Sequence, residues 1–475
     1  MTQGRMASDC PCMNCPARGE VEVLLQKLSV LQDANKRLQV ELEEMRMRYW
    51  LKGKKKKEEG DKENGAEQGP AKRGAPLGHP GWFRKKPKHI DHTVEVTLSK
   101  CPHCHSKDLS LCSEIEEHIQ EDIEIPRVYA TLYRKRTYLC RGCGATVSGV
   151  GENELPRSFI GPVAKTLGVW LKYDVKISDR DLKRVFETLF NLKIVPASLC
   201  GFRDQLTRQT KNLYEQLKKR LQRSSHAYVD ETGWKVDGVL NQLWSASTSA
   251  LSLLMIHPSR GVGALKEILG EEFAGILISD FLAVYNRMKA RAKQRCNVHL
   301  LRELKHILKS SGCDAAIQRY AETLKGVIQR ALALKRNFDQ GIISAQTLAD
   351  HGEQIRESLK GFENPDPTKE PIVRIAKRIT KYKEELLTFL FHPTIDGHNN
   401  QAERMIRPNV LLRKITFGNR SDKGAINHSV LMSMIQTAKK NDRSPPQVLQ
   451  KILQVPPKKR TLELLGVPKE EVLAQ

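Results

Sequence analysis

His226-Ala-Tyr-Val-Asp-Glu-Thr-Gly-Trp-Lys-Val236, the pair Asp237-Gly238, then Gln242-Leu-Trp-Ser-Ala-Ser-Thr248 and Leu251-Ser-Leu-Leu-Met-Ile-His257 decide the fold. Aromatic and β-branched residues between turn-forming pairs read as three strands, with the first two joined at Asp237-Gly238 and the next two at Ser249-Ala250. Working outward, Gly263–Leu269 reads as a short helix and Gly275–Ser279 as a buried strand ending at Asp280. Ala283–Ala290 reads as a helix and Arg295–Val298 as one more strand. The order β-β-β-α-β-α-β describes a mixed sheet covered by helices. Residues 300–390 read as helical throughout. Residues 397–455 are mainly helical and basic, with 9 basic against 2 acidic residues between Arg404 and Arg443.

N-terminal to the sheet, residues 156–222 read as helices. Ser178 caps a helix over Asp179–Asn191 with Val185, Phe186, Leu189 and Phe190 on its apolar side. After a turn at Ile194–Pro196, a second helix runs from Ala197 to about Lys219. A helix–turn–helix of this size can enter a DNA groove, although helices also pack this way without touching DNA. Residues 91–150 carry Cys101-Pro-His-Cys104 and Cys140-Arg-Gly-Cys143. Four thiolates at such spacing can close a tetrahedral structural Zn²⁺ site with no open position for catalysis. The competing reading is two reduced, non-ligating pairs. Cys10, Cys12 and Cys15 lack an obvious fourth ligand. Residues 21–49 repeat every seven positions, with Val21, Leu28, Asn35, Leu42 and Tyr49 on one seam and Leu24, Leu31, Leu38 and Met45 on the other. A polar Asn35 at an a position is the mark of a parallel coiled coil whose register it sets. Between the coil and the cysteines, residues 53–90 lack apolar periodicity and are rich in Lys, Glu, Gly and Pro, as in a disordered basic linker.

The chain has 475 residues, 79 basic and 55 acidic, for a net charge of +24. A surplus of that size bears on partners and favours a polyanion such as nucleic acid. Residues 1–9 contain no apolar stretch of signal-peptide length, and the longest apolar runs are too short to cross a bilayer. A cytoplasmic protein with no membrane association is expected. Eleven cysteines, an odd number, suit metal-binding thiols in a reducing compartment better than a disulfide framework.

Three acidic residues stand where phosphoryl chemistry needs them: Asp230 on the first strand, Asp280 at the end of the buried strand, and Glu403 in Asn399-Asn-Gln-Ala-Glu-Arg404. Two carboxylates brought together repel, and one takes up a proton unless cations neutralise them. Mg²⁺ prefers oxygen ligands, and two such ions can activate a nucleophile and stabilise a leaving oxygen. Spacing alone does not set these residues apart from ordinary turn formers and helix caps, as Asp237 is.

The chain resembles the large transposase of the insertion-sequence-66 family, a bacterial DDE transposase. Carrying the resemblance are Asp230-Glu-Thr-Gly-Trp234, Ser279-Asp280, Cys296-Asn-Val-His299 with Arg302, and His392-Pro393. The longest match follows, at Asn399-Asn-Gln-Ala-Glu-Arg-Met-Ile-Arg-Pro408, Arg413-Lys414 and Gly424-Ala425. It spans most of residues 20–455. It implies a multidomain chain: a coiled coil over 20–52, the linker 53–90, a zinc-binding domain over 91–150, and a helical helix-turn-helix-like domain over 156–222. A ribonuclease-H-like α/β catalytic domain follows over 226–299 with 392–455, interrupted by a helical insertion at 300–391. The resemblance implies Asp230, Asp280 and Glu403 as ligands of two Mg²⁺ ions, for which Mn²⁺ can substitute, and Zn²⁺ on Cys101, Cys104, Cys140 and Cys143. It implies cleavage of element ends and attack of the freed 3′-hydroxyl on target DNA. We expect Arg404, Arg407, Arg413 and Lys414 to clamp DNA phosphates. Expected partners are a second copy joined through the coiled coil and small accessory proteins of the same element, in a bacterial, nucleoid-associated setting. Asn297 stands where the family usually has an aromatic residue, which weakens any role for Cys296 and His299 beyond structural support or a partial metal site. Two further readings remain: an inactive zinc-containing DNA-binding regulator, and a structure-specific nuclease that cuts without joining.

Overall fold

The computed structural model describes residues 128–469 except 157 and 311, together with scattered positions between 87 and 120. The coiled-coil segment 20–52, most of the linker, Cys10, Cys12, Cys15, Cys101 and Cys104 lie outside the described residues. The chain divides into two units at Asp122 and Ile123, and everything below concerns the second.

A two-stranded ribbon opens that unit, β1 (Thr137–Leu139) and β2 (Thr146–Ser148), paired antiparallel. Between them lies the Cys140–Cys143 knuckle. It is closed by Gly144 N–H donating to Cys140 O (2.8 Å) and Cys140 N–H donating to Ala145 O (2.8 Å). The Cys143 backbone N–H, then the Cys143 thiol and the Gly142 N–H, hold the Cys140 thiol below its ordinary pKa. A thiol held towards its thiolate is the state a metal requires.

Three helices follow: α1 (Pro162–Tyr173), α2 (Asp179–Phe190) and α3 (Pro196–Gln222). Ser178 caps α2 by accepting from Asp181 N–H. The buried residues of α2 are Leu182 and Phe186, whereas Leu189, expected on the apolar side, is 49% exposed. It falls in the last turn, where Asn191 takes the left-handed conformation and ends the helix. In α3, Leu199, Phe202, Leu206, Leu213, Leu217 and Leu221 form one buried stripe, the helical period of an element packed along its whole length. Tyr214 donates to Leu254 O (2.9 Å), tying α3 to the sheet.

The sheet has the order β5-β4-β3-β6-β7. Its strands are β3 (His226–Val236), β4 (Val239–Ser247), β5 (Ser252–His257), β6 (Glu272–Ser279) and β7 (Lys289–Arg295). β3, β4 and β5 pair antiparallel, while β3, β6 and β7 run parallel. Helix α4 (Val262–Leu269) joins β5 to β6, and the single turn α5 (Val284–Arg287) joins β6 to β7. The helix expected over 283–290 thus shrinks to that turn, and the last strand begins at Lys289 rather than Arg295. β6 passes so close to the end of α3 that a Cβ on Gly275 would lie 2.4 Å from Ser224 O.

Helices α6 (Asn297–Leu308), α7 (Ala315–Asp339), α8 (Ala345–Lys360) and α9 (Glu370–Phe391) follow β7. Then come α10 (Asn400–Thr416), α11 (Asp422–Lys440) and α12 (Pro445–Gln454). The sheet is a wall between two cores. Ala227, Val229 and Leu277 face the one built with α1–α4, α11 and α12, while Tyr228, Ile276 and Ile278 face the one built with α6–α9. Alternation on a strand buried on both faces gives this division. The mixed α/β core with its five-stranded sheet is compatible with a ribonuclease-H-like domain. Among the described residues no helix is long and apolar enough to cross a membrane.

Candidate active site

β3 and β6 pair in register as His226 with Ile276, Ala227 with Leu277 and Tyr228 with Ile278. Asp230 and Asp280 each lie two positions past the last pair. They are therefore matched residues at the ends of neighbouring parallel strands, whose backbones run about 4.8 Å apart. Burial, then the carboxylates of Glu231, Asp280 and Glu403, raises the Asp230 pKa from 3.8 to about 7. Glu403, from the first turn of α10, thus lies within electrostatic reach of Asp230 although 173 positions separate them in the chain.

Each carboxylate has its own support. Asp230 Oδ1 accepts from Glu231 N–H (3.0 Å), and Asp280 Oδ1 accepts from Leu282 N–H (2.9 Å). Arg302 from α6 reaches both oxygens of Glu403 at 3.4 Å, and His299 Nε2 lies 3.8 Å from it. A fourth acid, which the sequence reading did not assign, stands beside them. The Glu231 side chain is only 3% exposed; it accepts from Tyr285 Oη (2.5 Å) and from Arg260 Nη2 (2.8 Å). Its position next to Asp230 was the signal available in the sequence.

Asn399 joins the pieces. Its Nδ2 donates to Val229 O (2.8 Å), one residue before Asp230, and its backbone N–H donates to Cys296 Sγ (3.2 Å). Glu403 N–H then donates to Asn399 O (3.2 Å), so one residue ties the start of α10 to β3 and to the β7–α6 junction. Cys296 is fully buried, and burial raises its pKa, which suits packing rather than ligation. Asn297 is buried too, donating from Nδ2 to Leu386 O and Gly397 O at 2.9 and 3.0 Å. An aromatic ring would make neither bond.

Arg295 is fully buried at the end of β7. It donates to Glu385 Oε2 (2.6 Å), Ser279 Oγ (3.2 Å) and Asp280 O (2.8 Å), and stacks 4.8 Å from the Tyr382 ring centre. It holds the backbone on which Asp280 stands.

Of the expected phosphate contacts, Arg404, Arg407 and Lys414 are exposed on α10. Arg413 is half-buried and donates to Gly233 O and Thr232 Oγ1, so it also fastens α10 to β3.

Among the described residues, no three His, Cys, Asp or Glu side chains converge closely enough to hold a metal ion. The donor set nevertheless suits a hard cation. Asp230 is a half-buried carboxylate with no cationic partner, its pKa raised by desolvation and then by its acidic neighbours, and oxygen ligands of this kind take Mg²⁺.

Half-buried carboxylates at the ends of parallel strands, in a strongly basic chain, fit an enzyme that works on a nucleic acid. The family model described as Transposase IS66 family matches residues 157–427, 271 of the 475 residues. The chain belongs to the IS66 transposase family: it is an enzyme of the transposase kind, and DNA is its partner. No curated protein matches it.

Proposed function

We propose that this transposase cuts the ends of its element and transfers the freed 3′-ends to target DNA, with Asp230, Asp280 and Glu403 as its catalytic carboxylates. The observation that carries this reading is the matched placement of Asp230 and Asp280 on neighbouring strand ends, with Glu403 close enough to raise the Asp230 pKa. Asp230 and Asp280 would hold Mg²⁺ or Mn²⁺, and Glu403 would complete one of two ions. The cations would lower the pKa of the attacking water or hydroxyl and stabilise the leaving oxygen.

The chain's own residues prepare that chemistry. Tyr285 and Arg260 hold the Glu231 carboxyl beside Asp230, where it adds to the negative charge that a bound cation would offset. Asn399 and Arg413 fix α10 against β3, which sets the direction from which Glu403 approaches. Arg404, Arg407 and Lys414 would bind phosphates of the strand being cut. The heptads over 20–52 would bring two copies together, as pairing two ends requires; the four cysteines would hold structural Zn²⁺; and small proteins of the same element would assist.

The test is incubation of the full chain with labelled element ends, target plasmid and Mg²⁺. Nicked ends and joined products are expected from the native chain, and neither from Asp280→Asn, which should keep nearly all its DNA affinity. Undiminished cleavage by that variant overturns the carboxylate assignment. Cleavage without joining would leave a nuclease, and no cleavage a regulator.

A further inference from the structure

Phe417 stands at the C-terminus of α10 with φ +60°, the left-handed region, and is 76% exposed. That position usually holds Gly or Asn, and for a bulky side chain it is an outlier of the kind that marks a functional constraint. A Cβ on Gly418 would lie 2.1 Å from Lys235 O, so the next residue is pressed against the β3–β4 hairpin. Asn419 is then held on three sides: its N–H donates to Lys235 O (2.9 Å), its O accepts from Asp237 N–H (2.8 Å), and its Oδ1 accepts from Trp234 Nε1 (2.8 Å). Trp234 is itself buried against His428 at 4.5 Å.

Phe417 lies on the rim of a groove of about 1020 Å³ between α2 and α3 on one side and the α10–α11 turn on the other. Six Lys and Arg side chains line it against three Asp. Arg180 and Arg420, one on each wall, are exposed. Ile415, 45% exposed, extends the apolar platform. An aromatic face fixed in solvent beside cations is the chemistry that holds an unpaired base and its phosphates.

We propose that Phe417 is a base-stacking residue: one unpaired nucleobase of the DNA lies on its ring, with Arg180 and Arg420 on the neighbouring phosphates. The inference rests on DNA being the partner and adds that the strand is opened locally at this groove. Fourteen helical residues from Glu403 to Phe417 span about 21 Å.

The full chain is titrated onto two oligonucleotide duplexes that carry the same single 2-aminopurine and differ only in what faces it, thymine in one and an abasic site in the other. The native chain should prefer the unpaired probe and quench its fluorescence. Phe417→Asn, which relaxes the left-handed backbone, should lose about tenfold in affinity for the unpaired probe, the size of one lost base stack. It should keep its affinity for the paired duplex and a Tm no lower than native, and Phe417→Trp should restore the preference. A Phe417→Asn variant that still prefers and quenches the unpaired probe overturns the proposal. So does a native chain that binds both duplexes equally, and in that case the reading as a DNA enzyme stands. If Phe417→Asn changes only the oligomeric state, the ring is a protein contact instead. A native chain that binds neither duplex removes the DNA reading itself.

Discussion

Asp230 is one place where pH acts on this molecule. Its folded-state pKa, about 7 against an ordinary 3.8, means the folded protein holds this proton more tightly than the unfolded chain does. The stability that goes with the proton is therefore complete below about pH 4 and is lost as pH rises through about 7. In the absence of divalent cations, the contribution of Asp230 to Tm should fall across that window, and Asp230→Asn should lose this part of the slope. Above pH 7, Mg²⁺ should raise the Tm of the native chain and leave that of the Asp230→Asn, Asp280→Asn double variant unmoved. Thermal melts with and without EDTA check both points, and an equal response of native and double variant would count against a cation at these residues. Tyr285 offers a second test at this scale. Tyr285→Phe takes a donor from a buried carboxylate, so it should cost about 1.5–3 kcal/mol in urea unfolding and leave Arg260 as the main partner of Glu231.

β7 is the element on which Asp280 most depends, through Arg295. Removing one partner of a buried ion pair leaves an uncompensated charge, so Arg295→Ala should destabilise by about 3–5 kcal/mol in equilibrium unfolding. DNA affinity should survive while cleavage falls, because the backbone under Asp280 loosens. A variant with native stability would show that the network at Glu385, Ser279 and Asp280 does not hold the strand end. β7 is also the strand the sequence hid best. Lys289-Ala-Arg-Ala-Lys-Gln-Arg295 has only Ala290 and Ala292 as apolar residues; it is an edge strand paired only with β6, and charged edges of this kind discourage further pairing. β3 was legible because its apolar residues meet cores on both faces, and β4 because Leu243, Trp244 and Ala246 are buried in one of them. Asp230 and Asp280 were legible as carboxylates beside apolar strand segments. The bridge from Asn399 to Val229 and Cys296 was not, since its partners are 170 and 103 positions away and the side chain's role exists only once the helix has docked.

Over the whole molecule, the surplus of 24 positive charges raises affinity for any DNA, while specificity needs contacts at particular bases. Several basic side chains are engaged within the protein: Arg413 on β3, Arg302 on Glu403, Arg295 on β6 and α9. Arg404, Arg407 and Lys414 are exposed and project from the helix that carries Glu403. If they bind phosphates, replacing all three by Gln removes three released counterions. The slope of log K against log salt should then become shallower by about 2.7, at roughly 0.9 per phosphate contact. Affinity should fall alike for element ends and for unrelated duplexes, because phosphates carry no sequence. Binding isotherms across a salt series read both effects. An unchanged slope would place the phosphate contacts elsewhere in the chain, and a loss confined to element ends would make these side chains readers of sequence instead.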